Sequence, residues 1–249
     1  ICFPFVGDSI GGSQLASIIL IKNLYKIKYG YKVLLFETGP LEKILRKEKI
    51  NYEILKINAN HTKGFFFKTF FLSIFYSFNL MPFLKLNNID ILHTNDIRMH
   101  YFWSVICKIN KINHIWHQHS AYFSRRNIFF SSLSKRILTV SNFCKLSFTR
   151  KMNERAIIIS NPFDEKCLVN KDEKISRNNF IRKKLNISIK TKIITYIGSI
   201  NSQKRLSIFL NIILKLNKEK NCDYLFLIIG SFNKHENFFN RIKGLNYLL

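Results

Sequence analysis

Acidic residues are scarce in this chain: 15 Asp and Glu stand against 40 Lys and Arg in 249 residues, a formal charge of +25. The field that this shortage leaves draws anionic partners, whether nucleic acid, acidic lipid headgroups or phosphorylated substrates. Part of the lysine excess has a plainer source, because Ile, Lys, Asn, Phe and Tyr, all encoded by A/T-rich codons, dominate the chain. Paired cysteines are missing as well. Cys2, Cys107, Cys144, Cys167 and Cys222 are scattered, odd in number and never arranged as C-x-x-C. That argues against a disulfide framework or a zinc site and for a reducing compartment. The chain opens without an initiator Met, shows no signal peptide and carries no repeat of solenoid type. No nucleic-acid motif is recognisable, and the aromatics lie in core-like runs instead of alternating with cations, so no specific nucleic-acid partner is expected.

What is abundant is apolar. Hydrophobic residues make up 47% of the chain, enough for real cores, and the length accommodates one large domain or two small ones. Residues 64–84 (GFFFKTFFLSIFYSFNLMPFL) form the one run long enough to raise a membrane question, since a span needs ~20 mainly apolar residues. Lys68, Asn79 and Pro82 interrupt it, and Phe dominates it instead of Leu or Ile. A buried helix fits these residues better than a span. So does a helix whose aromatic face lies in a headgroup layer while nearby lysines bind acidic lipid.

Hydrophobic runs alternate with helical patterns along the chain. Strands are expected at residues 2–6, 31–36, 52–57, 89–93, 113–117, 136–140 and 156–159, and helices at 14–28, 41–47, 104–109 and 143–151, the last with Ser141 as N-cap. This alternation predicts a doubly wound, mostly parallel α/β sheet. A polar connector follows Asp164. The pattern then restarts with a strand at 192–197, a helix at 204–216 and a strand at 224–229. Two strands are too few for a parallel sheet covered on both faces, and the apolar run at 245–249 has nothing to pack on. The expected division is therefore residues 1–165, a connector at 166–190 and an incomplete second domain at 191–249.

The stretch 192–205, KIITYIGSINSQKR, ends a strand in Gly198 and places Lys204 and Arg205 at the opening of a helix. Free backbone N–H groups and two cations there suit a phosphate. Other motifs precede it in a fixed order. Gly11-Gly12-Ser13 follows the first strand, Asp90-Ile91-Leu92-His93-Thr94-Asn95 lies mid-domain, and His117-Gln118-His119 follows another strand. Val140-Ser141-Asn142-Phe143 comes before Asn161-Pro162-Phe163-Asp164, and Lys204 stands six residues after Gly198. Together these resemble the two-domain retaining glycosyltransferases of the large group 1 type, family four, with the B fold. The resemblance implies two Rossmann-like domains, the second incomplete here. It implies a sugar moved from a UDP- or GDP-linked donor to a glycan or lipid-linked acceptor held by the N-terminal domain, with retention of configuration and without a metal or other cofactor. Work on an envelope polysaccharide at the cytoplasmic face of a membrane, with an acidic membrane surface as partner, follows as an expectation. The donor diphosphate would rest on the second domain, where Lys204 matches the family's Lys and Ser199 stands at the position of its Arg. The family's Glu near the donor sugar would fall after Leu249.

Each candidate residue also has a plainer reading. Gly11 and Gly12 would let backbone approach donor phosphates, or would only serve a strand-to-helix turn. His119 matches the family position beside the reacting sugar, where imidazole hydrogen-bonds the donor; otherwise it is a polar loop histidine. His117 and His119 share a face in extended chain, but no third ligand of the right kind lies nearby, so no metal is expected. Ser141 and Asn142 are candidate ligand contacts, though capping accounts for Ser141 equally well. Lys204 and Arg205 oppose the helix dipole, which an anion partner would explain. Two further functions stay open: a nucleotide-sugar epimerase of the same architecture, and a basic membrane- or nucleic-acid-binding protein without catalysis.

Overall fold

The computed structural model describes residues 1–58, 65–200, 204–218 and 223–230. Gly64, Asn201, Ser202, Gln203, Cys222 and the apolar run 245–249 lie outside the described residues. The chain divides into two compact units, Ile1–Cys167 and Leu168–Leu249.

Seven strands of the first unit form one sheet: β1 (Cys2–Phe5), β2 (Lys32–Leu35), β3 (Glu53–Ile54), β4 (Ile91–Thr94), β5 (Asn113–Gln118), β6 (Arg136–Thr139) and β7 (Ala156–Ile158). Their order is β3-β2-β1-β4-β5-β6-β7, and every pairing is parallel. The connections are α1 (Gly12–Lys26), α2 (Pro40–Lys47), α3 (Phe66–Leu86), α4 (Ile97–Ile109), α5 (Arg125–Ser132), α6 (Asn142–Lys145) and α7 (Arg150–Arg155). Parallel strands must be covered on both faces, and the two-residue period of a strand sorts its side chains between them. Phe3, Phe5, Val33 and Leu35 pack against Ile18, Ile21, Leu41 and Leu45 of α1 and α2. Cys2, Leu34 and Leu92 point the other way, onto Leu80 and Leu84 of α3 and Phe102, Trp103 and Ile106 of α4. A third cluster joins Trp116, Phe130 and Ile137 to Tyr101 and Phe148.

The second unit is described by α8 (Lys171–Lys184), β8 (Lys192–Ile197), α9 (Leu206–Leu216) and β9 (Tyr224–Ile229), with β8 and β9 paired in parallel. The segment expected as a connector therefore contains a helix. Asn170 caps α8 by accepting the Glu173 N–H at 2.8 Å. Asp172 and Glu173 in its first turn and Arg182, Lys183 and Lys184 in its last match the helix dipole. No residue of it is buried, which is why no apolar period announced it.

Other boundaries shift for local reasons. β3 keeps two of the six residues expected, because both are exposed at the outer edge of the sheet. α4 begins seven residues earlier than its apolar run, since Asp96 accepts the N–H groups of Arg98 at 2.8 Å and Met99 at 3.3 Å. α5 was not expected; Ser124 caps it by accepting from Asn127 at 3.0 Å. The helix expected over 143–151 is split into α6 and α7, because the buried Ser147 hydroxyl between them accepts the Tyr122 N–H at 2.7 Å.

Glycine is scarce, and other residues take its place at helix ends. Lys28, Lys49, Asn88, Lys111 and Asn186, all at positive φ, lie two residues past the ends of α1, α2, α3, α4 and α8. Gly7 is different. At φ 105° a Cβ there would stand 2.1 Å from the Glu37 carbonyl oxygen, so the turn after β1 admits glycine alone.

Candidate active site

In an open parallel sheet the loops at the carboxyl ends of the strands diverge where the strand order reverses, and that crevice receives ligands. Here β1 lies between β2 and β4, so the crevice opens between the loop after β1 and the loop after β4. Asp8 in the first loop meets Arg98 at the start of α4 in a bidentate pair, 2.7 Å at each oxygen. This clamp joins the two walls across 90 residues of sequence. Asp8 holds the Arg98 guanidinium above its ordinary pKa, and burial pushes the Asp96 carboxyl up.

The ends of β4 and β5 carry a network of histidines. Thr94 Oγ1 hydrogen-bonds with His100 Nδ1 at 2.6 Å and His114 Nε2 at 2.8 Å, and His114 Nδ1 with Ser134 Oγ at 2.9 Å. His93 Nε2 and His117 Nδ1 stand 3.3 Å apart, with His117 and His119 ring centroids at 4.3 Å. His119 Nε2 reaches Asn95 Oδ1 at 3.3 Å. Burial pushes His93, His114 and His117 down to about 3 and His100 well below 6.5, so all four are neutral near pH 7. His119 is pushed to about 4 by burial, against the opposing effect of a hydrogen bond to Asn161. A neutral imidazole there both donates and accepts hydrogen bonds without carrying charge. Four buried polar atoms along this edge, Asn95 Nδ2, His117 Nε2, His119 Nδ1 and Thr139 Oγ1, have no hydrogen-bond partner among the described residues. Such atoms ordinarily find partners. Among the described residues no group of three His, Cys, Asp or Glu is placed to hold a metal ion.

Gly11 and Gly12 are exposed at the opening of α1. Gly11 N–H donates to Gln14 Oε1 at 3.0 Å, and a Cβ on Gly12 would meet nothing within 4 Å. No neighbouring atom of the fold demands glycine at position 12. Ser141, at the end of β6, spends its hydroxyl on capping: it accepts the Cys144 N–H at 3.2 Å. Asn142 is exposed beside it. The topology thus sets Gly11, Gly12, His119, Ser141 and Asn142 on the loops and helix openings that follow β1, β5 and β6, along one edge of one sheet. Asp8, Asn95 and Arg98 join them there. Asn95 closes a motif visible in the sequence, whereas the Asp8–Arg98 pair is too remote in sequence to read from spacing.

In the second unit Ser199, Lys204 and Arg205 are exposed around the turn after β8. Tyr196 Oη donates to the Ser199 carbonyl at 3.0 Å and lies 3.4 Å from that of Lys204, gathering both ends of the turn. α9 starts at Leu206, two residues later than expected. Arg205 is its N-cap, held in the left-handed region at φ 53°, with no side chain capping the first turn. Of the six described non-glycine residues at positive φ, Arg205 is the one that precedes a helix instead of ending one. Gly230 is set by close packing, since a Cβ there would lie 1.8 Å from the Gly198 carbonyl oxygen.

A seven-stranded parallel sheet in one unit and a parallel strand pair in the other, with these loops at their strand ends, define an α/β protein of two units. A glycosyltransferase from Rickettsia africae shares the fold with TM-score 0.71 at 19% identity over 98% of this chain and 63% of its own. HepE from Anabaena, solved with UDP and glucose, gives 0.59 at 14% over 91% of this chain and 68% of its own. The UDP-GlcNAc 2-epimerase of Neisseria meningitidis, solved with UDP-GlcNAc, gives 0.52 at 13% over 95% and 72%. The chain thus spans roughly two thirds of the length of these neighbours, and at such identities they share its fold alone. Comparison with curated protein sequences finds no match. The family model of Glycosyltransferase Family 4 matches residues 18–166, more than half of the chain. The chain belongs to Glycosyltransferase Family 4.

Proposed function

We propose that the protein transfers a sugar from a UDP- or GDP-linked donor, with retention of configuration and without a metal, to a lipid-linked or envelope-polysaccharide acceptor at the cytoplasmic face of a membrane. The observation that carries this reading is the carboxyl edge of β4, β5 and β6. There a half-buried neutral His119 stands on Asn95, and four buried polar atoms have no hydrogen-bond partner among the described residues. In this reading His119 is the catalytic residue: its ring hydrogen-bonds the donor sugar as charge develops. Gly12, with open space where a Cβ would be, gives a ligand access to the backbone at the opening of α1. Ser141 and Asn142 border the ligand. Ser199, Lys204, Arg205 and the uncapped N–H groups of α9 receive the diphosphate, whose departure must be neutralised as it forms. That HepE was solved with UDP and glucose supports such a donor.

An epimerase reading is supported by the Neisseria neighbour, solved with UDP-GlcNAc. Product analysis on the complete protein separates them. Transfer requires an acceptor, whereas epimerisation alters the sugar without one. Loss of transfer in His119→Ala with the fold intact is expected; transfer at the unaltered rate would remove His119 from the mechanism.

A further inference from the structure

α3 is built inside out for a helix of a water-soluble domain. Its 21 residues are long and apolar enough to cross a membrane, yet the most deeply buried line along its first three turns is small and polar, flanked by the half-buried Phe66, Phe70, Ile74 and Tyr76. Thr69, Ser73 and Ser77 are fully buried, with Leu80 and Leu84 continuing the same stripe, and α3 packs along α4. The hydroxyls are satisfied: Ser73 donates to the Thr69 carbonyl and Ser77 to the Ser73 carbonyl, each at 2.7 Å, and Arg126 donates to Thr69 Oγ1 at 2.8 Å. The opposite face holds Phe67, Phe71, Phe75 and Phe78, exposed by 69%, 63%, 61% and 63%. At 100° per residue these four fall within one quarter of the helix circumference. They expose roughly 500 Å² at the ~200 Å² a phenylalanine carries, as much as the largest apolar patch of an ordinary monomer.

The carboxyl end of this face runs into a rim of cations. Two hollows, each of about 360 Å³, share Lys111, Ile112 and Asn113; one adds Met81 and Lys85 from α3, the other Lys108, Lys135 and Arg155. All five cations are exposed, and Asp90 is the one acid in either lining. None of the five takes part in an ion pair among the described residues.

We propose that the phenylalanine face of α3 and the adjoining cation rim dock the protein on a bilayer that carries anionic lipid, with α3 lying in the headgroup layer. Apolar rings entering the acyl boundary beside a cluster of Lys and Arg is the composition that such a surface recognises. A second copy of the chain would bring a like rim and a net +25 against +25, which opposes pairing through this face. A span is opposed by the buried hydroxyl stripe and its Arg126 contact, which tie the helix to the sheet. The proposal deepens the membrane-side part of the proposed function, and its test reads lipid binding alone, so it stands or falls apart from the sugar chemistry.

The test is sedimentation of the protein with vesicles of phosphatidylcholine alone and of phosphatidylcholine with phosphatidylglycerol. Binding to the mixed vesicles is expected, weakened by salt and at least about tenfold weaker to the neutral ones. Phe71→Ser/Phe75→Ser/Phe78→Ser should lower it at least about tenfold with the thermal unfolding midpoint unchanged. Lys108→Glu/Lys111→Glu/Lys135→Glu, which leaves α3 intact, should do the same if the phenylalanine variant folds poorly. Equal binding by both variants and the unaltered protein would overturn the proposal. So would a concentration-dependent dimer that the phenylalanine variant abolishes, which would assign the face to a second copy.

Discussion

Lowering the pH from 7 to 5 should remove much of the stability of the first unit, because its buried histidines must take up protons as the chain opens. His93, His100, His114 and His117 are 1–6% exposed, and their hydrogen bonds to Thr94, Ser134 and one another are made in the neutral form. Burial holds each below the 6.5 of an exposed histidine, at about 3 for His93, His114 and His117. A base with a depressed native pKa binds fewer protons folded than unfolded. Its contribution is therefore complete above about pH 6.5 and is lost as the pH falls towards the native value. At pH 5 the loss is about 2 kcal/mol for each of His93, His114 and His117, or about 6 kcal/mol for the three, and His100 adds in the same direction. That compares with a total stability of about 5–15 kcal/mol for an ordinary domain. The chain's two tryptophans report on this region: Trp103 and Trp116 are fully buried, and Trp116 stacks on His100 at 4.2 Å between ring centroids. Guanidinium titrations followed by tryptophan fluorescence should show stability falling steeply between pH 6.5 and 5, with at least about three protons taken up on unfolding. His114→Asn should flatten the dependence by about one proton. Equal stability at pH 7 and pH 5, or an uptake below one proton, would refute the assignment.

Gly7→Ala should destabilise by about 2 kcal/mol or more, since it strains φ and drives a Cβ into the Glu37 carbonyl. Gly12→Ala, which meets nothing within 4 Å, should leave the melting temperature unchanged while weakening protection by UDP or GDP in a thermal-shift screen of the complete protein. Lys204→Ala in the complete protein should slow sugar transfer without altering the fold; the unaltered rate would remove that cation from the diphosphate. Lys49→Gly and Lys111→Gly, at left-handed positions after α2 and α4, should each stabilise by about 0.5–1 kcal/mol in chemical denaturation.

The sheet was legible because parallel strands buried on both faces write themselves as short apolar runs, and the run at 31–36 (YKVLLF) is an example. The second unit's β8 and β9 also occupy the residues expected of them, marked by apolar runs although no residue of either is fully buried. Elements without an apolar signal were not legible. α8 is wholly solvent-facing, and α5 rests on a single serine cap. The Phe-rich run was readable as a helix, but which of its faces turns inward was not. Burial of Thr69, Ser73 and Ser77 beneath exposed phenylalanines inverts the usual rule, and only packing against α4 reveals it. Of the site, His119 and the glycine pair could be singled out because a local motif carries each. Asp8 and Arg98 are 90 residues apart and meet only once β1 and β4 lie side by side.

The central claim is tested most directly by supplying the complete protein with an anomerically defined UDP- or GDP-sugar and a lipid-linked acceptor and reading the product by NMR. The account predicts a new glycoside that forms only with acceptor present and keeps the anomeric configuration of the donor. A glycoside of inverted configuration, or an epimerised nucleotide-sugar formed without acceptor, would contradict it.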